Sequence, residues 1–261
     1  MMRPVAPRAG FGRFTKAPLP EVNFSDCADV RYLHLGTPWV QGAMRLDAPL
    51  AIELEYVQRM MVWLLFAEPA SVQQRHAMQL GLGAASLTKF CRKVLRMRTT
   101  AVELNARVIT ACRLWFRLPA DDARLQVVLA DAAAEIRRPQ WLGAVDALQV
   151  DLYDHDAAAP ALDDEAFYAD CRRLLTGDGC MTVNLFGRAS SYERSLAKMA
   201  AAFGEQALWA FKPTREGNTV VLAQRAPTRP KRAELQARAE AVQARWGLPA
   251  RKWLRVFKPV A

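Results

Sequence analysis

The sequence predicts an α/β protein. Its core is a seven-stranded, mainly parallel sheet whose last strand is antiparallel, preceded by a small N-terminal β domain. Three observations carry this. Apolar runs of strand length alternate with helical patterns from residue 76 onward. The run His76-Ala-Met-Gln-Leu ends in Gly81-Leu-Gly83, after which a helical pattern begins at once. The next run ends in a carboxylate, Glu103, 22 residues after Gly81. That is the layout of a nucleoside-binding βαβ unit. Glycines turn the backbone tightly under a ligand, the helix start offers free N–H groups, and an acid at the second strand's tip takes ribose hydroxyls. The third glycine position of a dinucleotide fingerprint is Ser86, which favours a single nucleoside over a dinucleotide.

Taken in order, residues 1–25 are rich in Pro, Gly and Arg without periodicity and predict a mobile basic arm. A small β domain with a linking helix follows over 26–68. It has strands at 30–35 and 39–46, broken by Gly36-Thr-Pro, then a helical face of Val57, Met60, Met61, Leu64 and Leu65. A nucleoside-binding domain spans 69–225. Its strands are predicted near 76–81, 98–103, 125–129, 145–150, 178–185, 205–211 and 218–224. Its helices are predicted near 84–96, 105–116, 131–138, 164–175 and 190–203. Only 212–218 separates the last two strands, so they form an antiparallel hairpin at one edge. Residues 226–261 form a basic tail whose helix, about 231–246, has a thin stripe of Leu235, Val242 and Trp246.

The formal net charge is +10, and it is unevenly placed. Residues 1–20 carry +4, residues 225–261 carry +8 (ten basic, two acidic), and the body is slightly acidic. Basic ends can hold nucleic acid; without interleaved aromatics, solvated tails are the favoured reading. The longest apolar run, 60–66, is far short of the ~20 residues of a membrane span. With an N-terminus that lacks a signal-peptide pattern, this points to the cytoplasm. Five scattered cysteines, never spaced as CxxC, argue against a disulfide framework or a metal site.

Ligands of open α/β sheets sit beyond the carboxyl ends of the strands. Besides Gly81–Gly83 and Glu103, two ends stand out. Asp131-Ala132 combines an acceptor for an adenine amino group with room for the ring; Asp131 is equally suited to cap a helix. Asp151-Leu-Tyr-Asp154-His-Asp156 packs three carboxylates into six residues, which suits binding and deprotonating an amine.

These elements, in this order, resemble the polyamine aminopropyltransferases, the spermidine/spermine synthase family, on the class I S-adenosylmethionine-dependent methyltransferase fold. The resemblance covers about 30–225. It rests on Val40-Gln41, a helix from about Tyr56, Gly81-Leu-Gly83, Val102-Glu103, Ala130-Asp131-Ala132, Asp151-x-x-Asp154, and Phe167-Tyr168 ahead of Leu174-Leu175-Thr-Gly-Asp-Gly. It implies a Rossmann-like sheet, decarboxylated S-adenosylmethionine or S-adenosylmethionine as co-substrate, no metal and a small-molecule amine acceptor; the exposed edges of the small β domain add the expectation of a homodimer. It implies Gln41, Gly81, Gly83, Glu103, Asp131 and Ala132 on the nucleoside, Asp151 and Asp154 as the catalytic acids, and Tyr56, Gln58, His155 and Arg215 toward the acceptor.

The chain departs from the family at two places. The family's Gly-Gly-Gly-Asp-Gly-Gly is Gly81-Leu-Gly-Ala84-Ala-Ser86 here, so the acid that holds the propylamine nitrogen falls on Ala84. The family's Pro-Thr-Tyr-Pro is Pro213-Thr-Arg215-Glu216, putting a cation at an acceptor clamp. The leading reading is therefore a spermidine synthase-like transferase with a possible change of acceptor. The alternatives are a small-molecule methyltransferase and a non-catalytic binding protein with basic tails.

Overall fold

The computed structural model describes residues 19–152, 164–186 and 189–261, with backbone only at 189–190. Two sheets make up the chain. Strands β1 (Val22–Cys27), β2 (Val30–Leu35) and β3 (Gly42–Arg45) form a small antiparallel sheet in the order β1-β2-β3. β1 begins inside the segment expected to be a mobile arm. Its mostly polar, exposed face hides the strand from a hydrophobicity reading.

The large sheet contains β4 (His76–Leu80), β5 (Arg98–Glu103), β6 (Leu125–Leu129), β7 (Val145–Val150), β8 (Leu175–Phe186), β9 (Leu208–Phe211), β10 (Asn218–Gln224) and β11 (Phe257–Pro259). Their order is β11-β9-β10-β8-β7-β4-β5-β6. β6, β5, β4, β7 and β8 are parallel neighbours, whereas β10 runs antiparallel to both β8 and β9. The expected hairpin forms, but β10 inserts beside β8 and leaves β9 outside. The tail then adds an eighth strand, β11, along β9. Stacking of Trp209 on Phe257, at 5.4 Å between ring centroids, helps secure it.

Strand alternation divides the core between the two faces of the sheet. Ala77, Ala147, Val220 and Leu222 pack on one face, under 57–65 and the C-terminal helices α7 (Arg232–Trp246) and α8 (Ala250–Trp253). Met78, Leu80, Leu148, Val150, Val221 and Ala223 pack on the other, under α5 (Glu165–Leu174) and α6 (Ala189–Phe203). A third cluster joins Leu33 and Met44 of the small sheet to Leu82, Ala84, Ala85 and to Val108 and Cys112 of α3 (Ala106–Trp115).

Glycines set how closely the two sheets approach. A Cβ on Gly42 would lie 2.5 Å from the Ala84 nitrogen, and one on Gly83 2.9 Å from the Gln41 carbonyl oxygen. Only backbone without a side chain fits between them. Ser86 donates its hydroxyl to the Ala43 carbonyl at 3.0 Å, so this residue also holds the two sheets together.

Candidate active site

The ends of β4, β5, β6 and β7 open into a cavity of about 1010 Å³, roofed by 35–41 of the small sheet and by 53–56. Its walls include Gln41, Tyr56, Gly81, Gly83, Glu103, Asp131, Ala132 and Asp151, so eight of the residues singled out from sequence converge here.

Gly81 adopts φ +89°, and a Cβ there would stand 2.1 Å from the Asp151 carbonyl oxygen. Any side chain would both strain the turn and push Asp151 out of place. At the tip of β5, Glu103 accepts from the Leu82 N–H at 3.0 Å through one oxygen and from the Asn105 N–H at 2.8 Å through the other. Each oxygen keeps a second lone pair for a ligand hydroxyl. Burial pushes the Glu103 carboxyl above its ordinary pKa, against the opposing pull of these backbone donors. Asp131 is the N-cap of α4 (Ala132–Glu135) and accepts from the Ala134 N–H at 2.9 Å with one oxygen. Its other oxygen has no partner among the described residues, so capping and ligand contact are compatible.

Asp151 sits at the end of β7. One oxygen accepts from the Asn184 amide at 2.9 Å and the other from the Tyr56 hydroxyl at 3.3 Å. Burial raises its pKa, while these two donors pull it down. Asn184 is itself held: its amide oxygen accepts from Asn218 at 3.2 Å. A line of amides thus runs from β10 through β8 to the carboxylate. Tyr56 is fixed through its helix α1 (Glu55–Arg59). Arg59 donates to the Lys212 carbonyl at 2.7 Å, and the Met60 carbonyl accepts from Thr182 at 3.0 Å.

Two expected acceptor residues do not reach the cavity walls. Gln58 turns away and donates to the Ile52 carbonyl at 2.7 Å. Two residues on a helix are about 200° apart, so it cannot share the face of Tyr56. Arg215 is exposed, and its neighbour Glu216 lines the cavity instead. The turn therefore presents an acid where a cation was expected. Asp154 and His155 lie outside the described residues. Asn184, Asn218, Glu53 and Glu216 were not foreseen. Asn184 did leave a trace, as an amide inside the apolar run Met181-Thr-Val-Asn-Leu-Phe.

Six carboxylates line the cavity: Glu53, Glu55, Glu103, Asp131, Asp151 and Glu216. Glu55 is paired with Arg59 at 2.5 Å. Among the described residues no Lys, Arg or His lines it, in a chain of net charge +10. Nor does any group of three or more His, Cys, Asp or Glu among them stand where it could hold a metal ion. No described helix is long and apolar enough to cross a membrane.

Comparison with known proteins places this geometry. The chain is 32% identical to a polyamine aminopropyltransferase of Neisseria meningitidis over 248 residues, 94% of this chain and 92% of that protein. It is 31% identical to one of Chromobacterium violaceum over 88% of this chain and 86% of that protein. The chain belongs to the polyamine aminopropyltransferase family. No family profile matches it. In fold, this family member is similar to a probable spermidine synthase from Corynebacterium glutamicum, with a TM-score of 0.71 and 19% identity, covering 96% of this chain and 93% of that one. It is also similar to human methyltransferase-like protein 13 in complex with SAH, with a TM-score of 0.67 and 22% identity, covering 75% and 93%. The fold of this chain is thus the methyltransferase-like one.

Proposed function

We propose that the chain transfers an aminopropyl group from decarboxylated S-adenosylmethionine to an amine, with Asp151 taking the proton the amine loses. The observation that carries this reading is that every charged side chain lining the cavity among the described residues is an acid. Decarboxylated S-adenosylmethionine is a dication, and polyamines are polycations, so a field of this sign draws both in. A methyl donor that keeps its carboxylate has one net positive charge fewer and is drawn in less strongly.

On this reading the nucleoside lies across Gly81–Gly83. Glu103 takes the ribose hydroxyls, Asp131 and Ala132 frame the adenine, and Gln41 closes over from the small sheet. The glycine turn leaves backbone close to the ligand, as a cradle for the thioether side requires. The amine approaches Asp151 from the side of Tyr56 and Glu216. Its nitrogen attacks as a free base, the new C–N bond forms as the C–S bond of the sulfonium breaks and methylthioadenosine leaves, and the carboxylate accepts the proton lost by the resulting ammonium. Holding the nitrogen in line with the carbon under attack supplies most of the acceleration, and general-base assistance a further 10²–10⁴-fold or so. A raised Asp151 pKa suits this role, since a more basic carboxylate is a better proton acceptor.

The test pairs binding with turnover. Thermal shifts are compared for methylthioadenosine and decarboxylated S-adenosylmethionine against S-adenosylhomocysteine and S-adenosylmethionine. Amines are then screened for methylthioadenosine release. A ligand at 100 times its Kd stabilises by ~2.7 kcal/mol, which is readily seen. Preference for the decarboxylated pair together with amine-dependent release is expected. Preference for the carboxylate-bearing pair, with methyl transfer, overturns the reading.

A further inference from the structure

A second concavity, of about 590 Å³, lies on the other side of the C-terminal region, between α7, α8 and β11. Arg232, Arg251, Lys252, Arg255 and Lys258 line it with two glutamines and Leu254, and no acid contributes to its wall. All five cations are exposed. None of their side chains has a hydrogen-bonding or ion-pairing partner among the described residues. Elsewhere among the described residues ten arginines are held in salt bridges to Asp or Glu; Arg96, Arg98, Arg107 and Arg117 are exposed and unpaired as well, so what distinguishes the groove is that five such cations line one hollow. The cations are not scattered along a solvated helix. Three consecutive elements, α7, α8 and β11, bring like charges around one hollow, whose field an anion would answer.

We infer that this groove binds the phosphodiester backbone of a nucleic acid without reading its bases. The charge argues for a row of phosphates rather than a lone one. Five cations line the hollow, and residues 225–261 as a whole carry +8, which continues the field along the surface. The wall has no aromatic side chain on which a base could stack and no acid to accept from a cytosine amino group. Positively charged side chains on phosphate give binding that tolerates sequence and falls steeply with salt. The groove lies apart from the acidic cavity and shares no lining residue with it, so this inference does not depend on the proposed reaction.

The experiment uses the full chain and fluorescently labelled mixed-sequence probes of 20 nucleotides, single-stranded RNA and duplex DNA, with anisotropy read from 50 to 200 mM salt. Inorganic tripolyphosphate serves as a competitor. Neutralising five phosphates predicts a slope of log K on log salt of roughly −3.5 to −4.5. In Lys252→Gln/Arg255→Gln/Lys258→Gln the slope should shrink by roughly 2.1 to 2.7, with at least a tenfold loss of affinity at 100 mM. The charge-conserving Arg255→Lys should bind within about twofold of the parent. Because residues 1–20 also carry +4, a second variant neutralises Arg3, Arg8, Arg13 and Lys16. Loss confined to that variant overturns the assignment. So does failure to retain either probe at 50 mM salt, or capture of tripolyphosphate without either probe.

Discussion

The cavity and the C-terminal groove are opposites built on one chain. Among the described residues, the cavity gathers six carboxylates and no cation, and the groove gathers five cations and no carboxylate. They also differ in how their charges are held. Around the cavity, Glu103 and Asp151 are gripped by backbone N–H groups, an amide and a phenol, and burial shifts their pKa upward. In the groove every charge is on a long, exposed side chain with no partner. The first arrangement fixes geometry and tunes basicity, as chemistry requires. The second supplies only a field, which is adequate for binding an extended polyanion. Net charge alone would have suggested that the whole molecule seeks anions.

The largest effect expected from this contrast is on turnover. Asp151→Asn should lower kcat by about 10²–10⁴-fold while the thermal shift with methylthioadenosine persists; groove variants should leave kcat alone. Turnover of Asp151→Asn at the parent rate would break the comparison at its centre. Next is Gly81→Ala, whose Cβ would collide with the Asp151 carbonyl. We expect a loss of roughly 1–3 kcal/mol in unfolding free energy together with reduced kcat, measured by denaturant titration and steady-state assay.

A smaller effect sharpens the account of the amide line. The Asn184 amide stabilises ionised Asp151, so removing it should raise that pKa further. The acid limb of kcat/KM, where Asp151 gains its proton and activity falls, should then move to higher pH in Asn184→Ala. It should move less in Asn218→Ala, which acts one hydrogen bond farther away. pH–rate profiles at saturating nucleoside donor decide this, and an unmoved limb would show the amides to be structural only. Smallest is Glu216→Gln. An exposed charge contact is worth about 0.2–1 kcal/mol, so KM for the amine should rise roughly one-and-a-half- to fivefold with kcat unchanged.

Much of the fold could be read from local pattern. β5, β6, β7 and β10 span the residues their apolar runs outline; β5, β7 and β10 are buried along most of their length, whereas β6, at the sheet edge, is only partly so. β11 could not be read: Phe257-Lys-Pro is too short to show a period, and it becomes a strand only because β9 offers an edge. The strand-end rule brought Gly81, Glu103, Asp131 and Asp151 to one hollow. It could not supply Asn184 and Asn218, whose meeting depends on the pairing of Val220 with Asn184 and Asn218 with Phe186 between strands far apart in sequence. Nor could it say that the turn after Pro213 would face Glu216, rather than Arg215, into the cavity. That depends on a single residue of phase in a turn closed by the Gly217 N–H on the Thr214 carbonyl at 3.1 Å.

Ala84 has a consequence for how this sequence can change. Its side chain is 2% exposed, wedged where the bare backbone of Gly42 comes closest. A carboxylate introduced there would enter a buried seam lined by Leu33, Met44 and Leu82. A larger side chain at position 84 would therefore force the small sheet away from the glycine turn, so the sizes tolerated at positions 42 and 84 constrain each other.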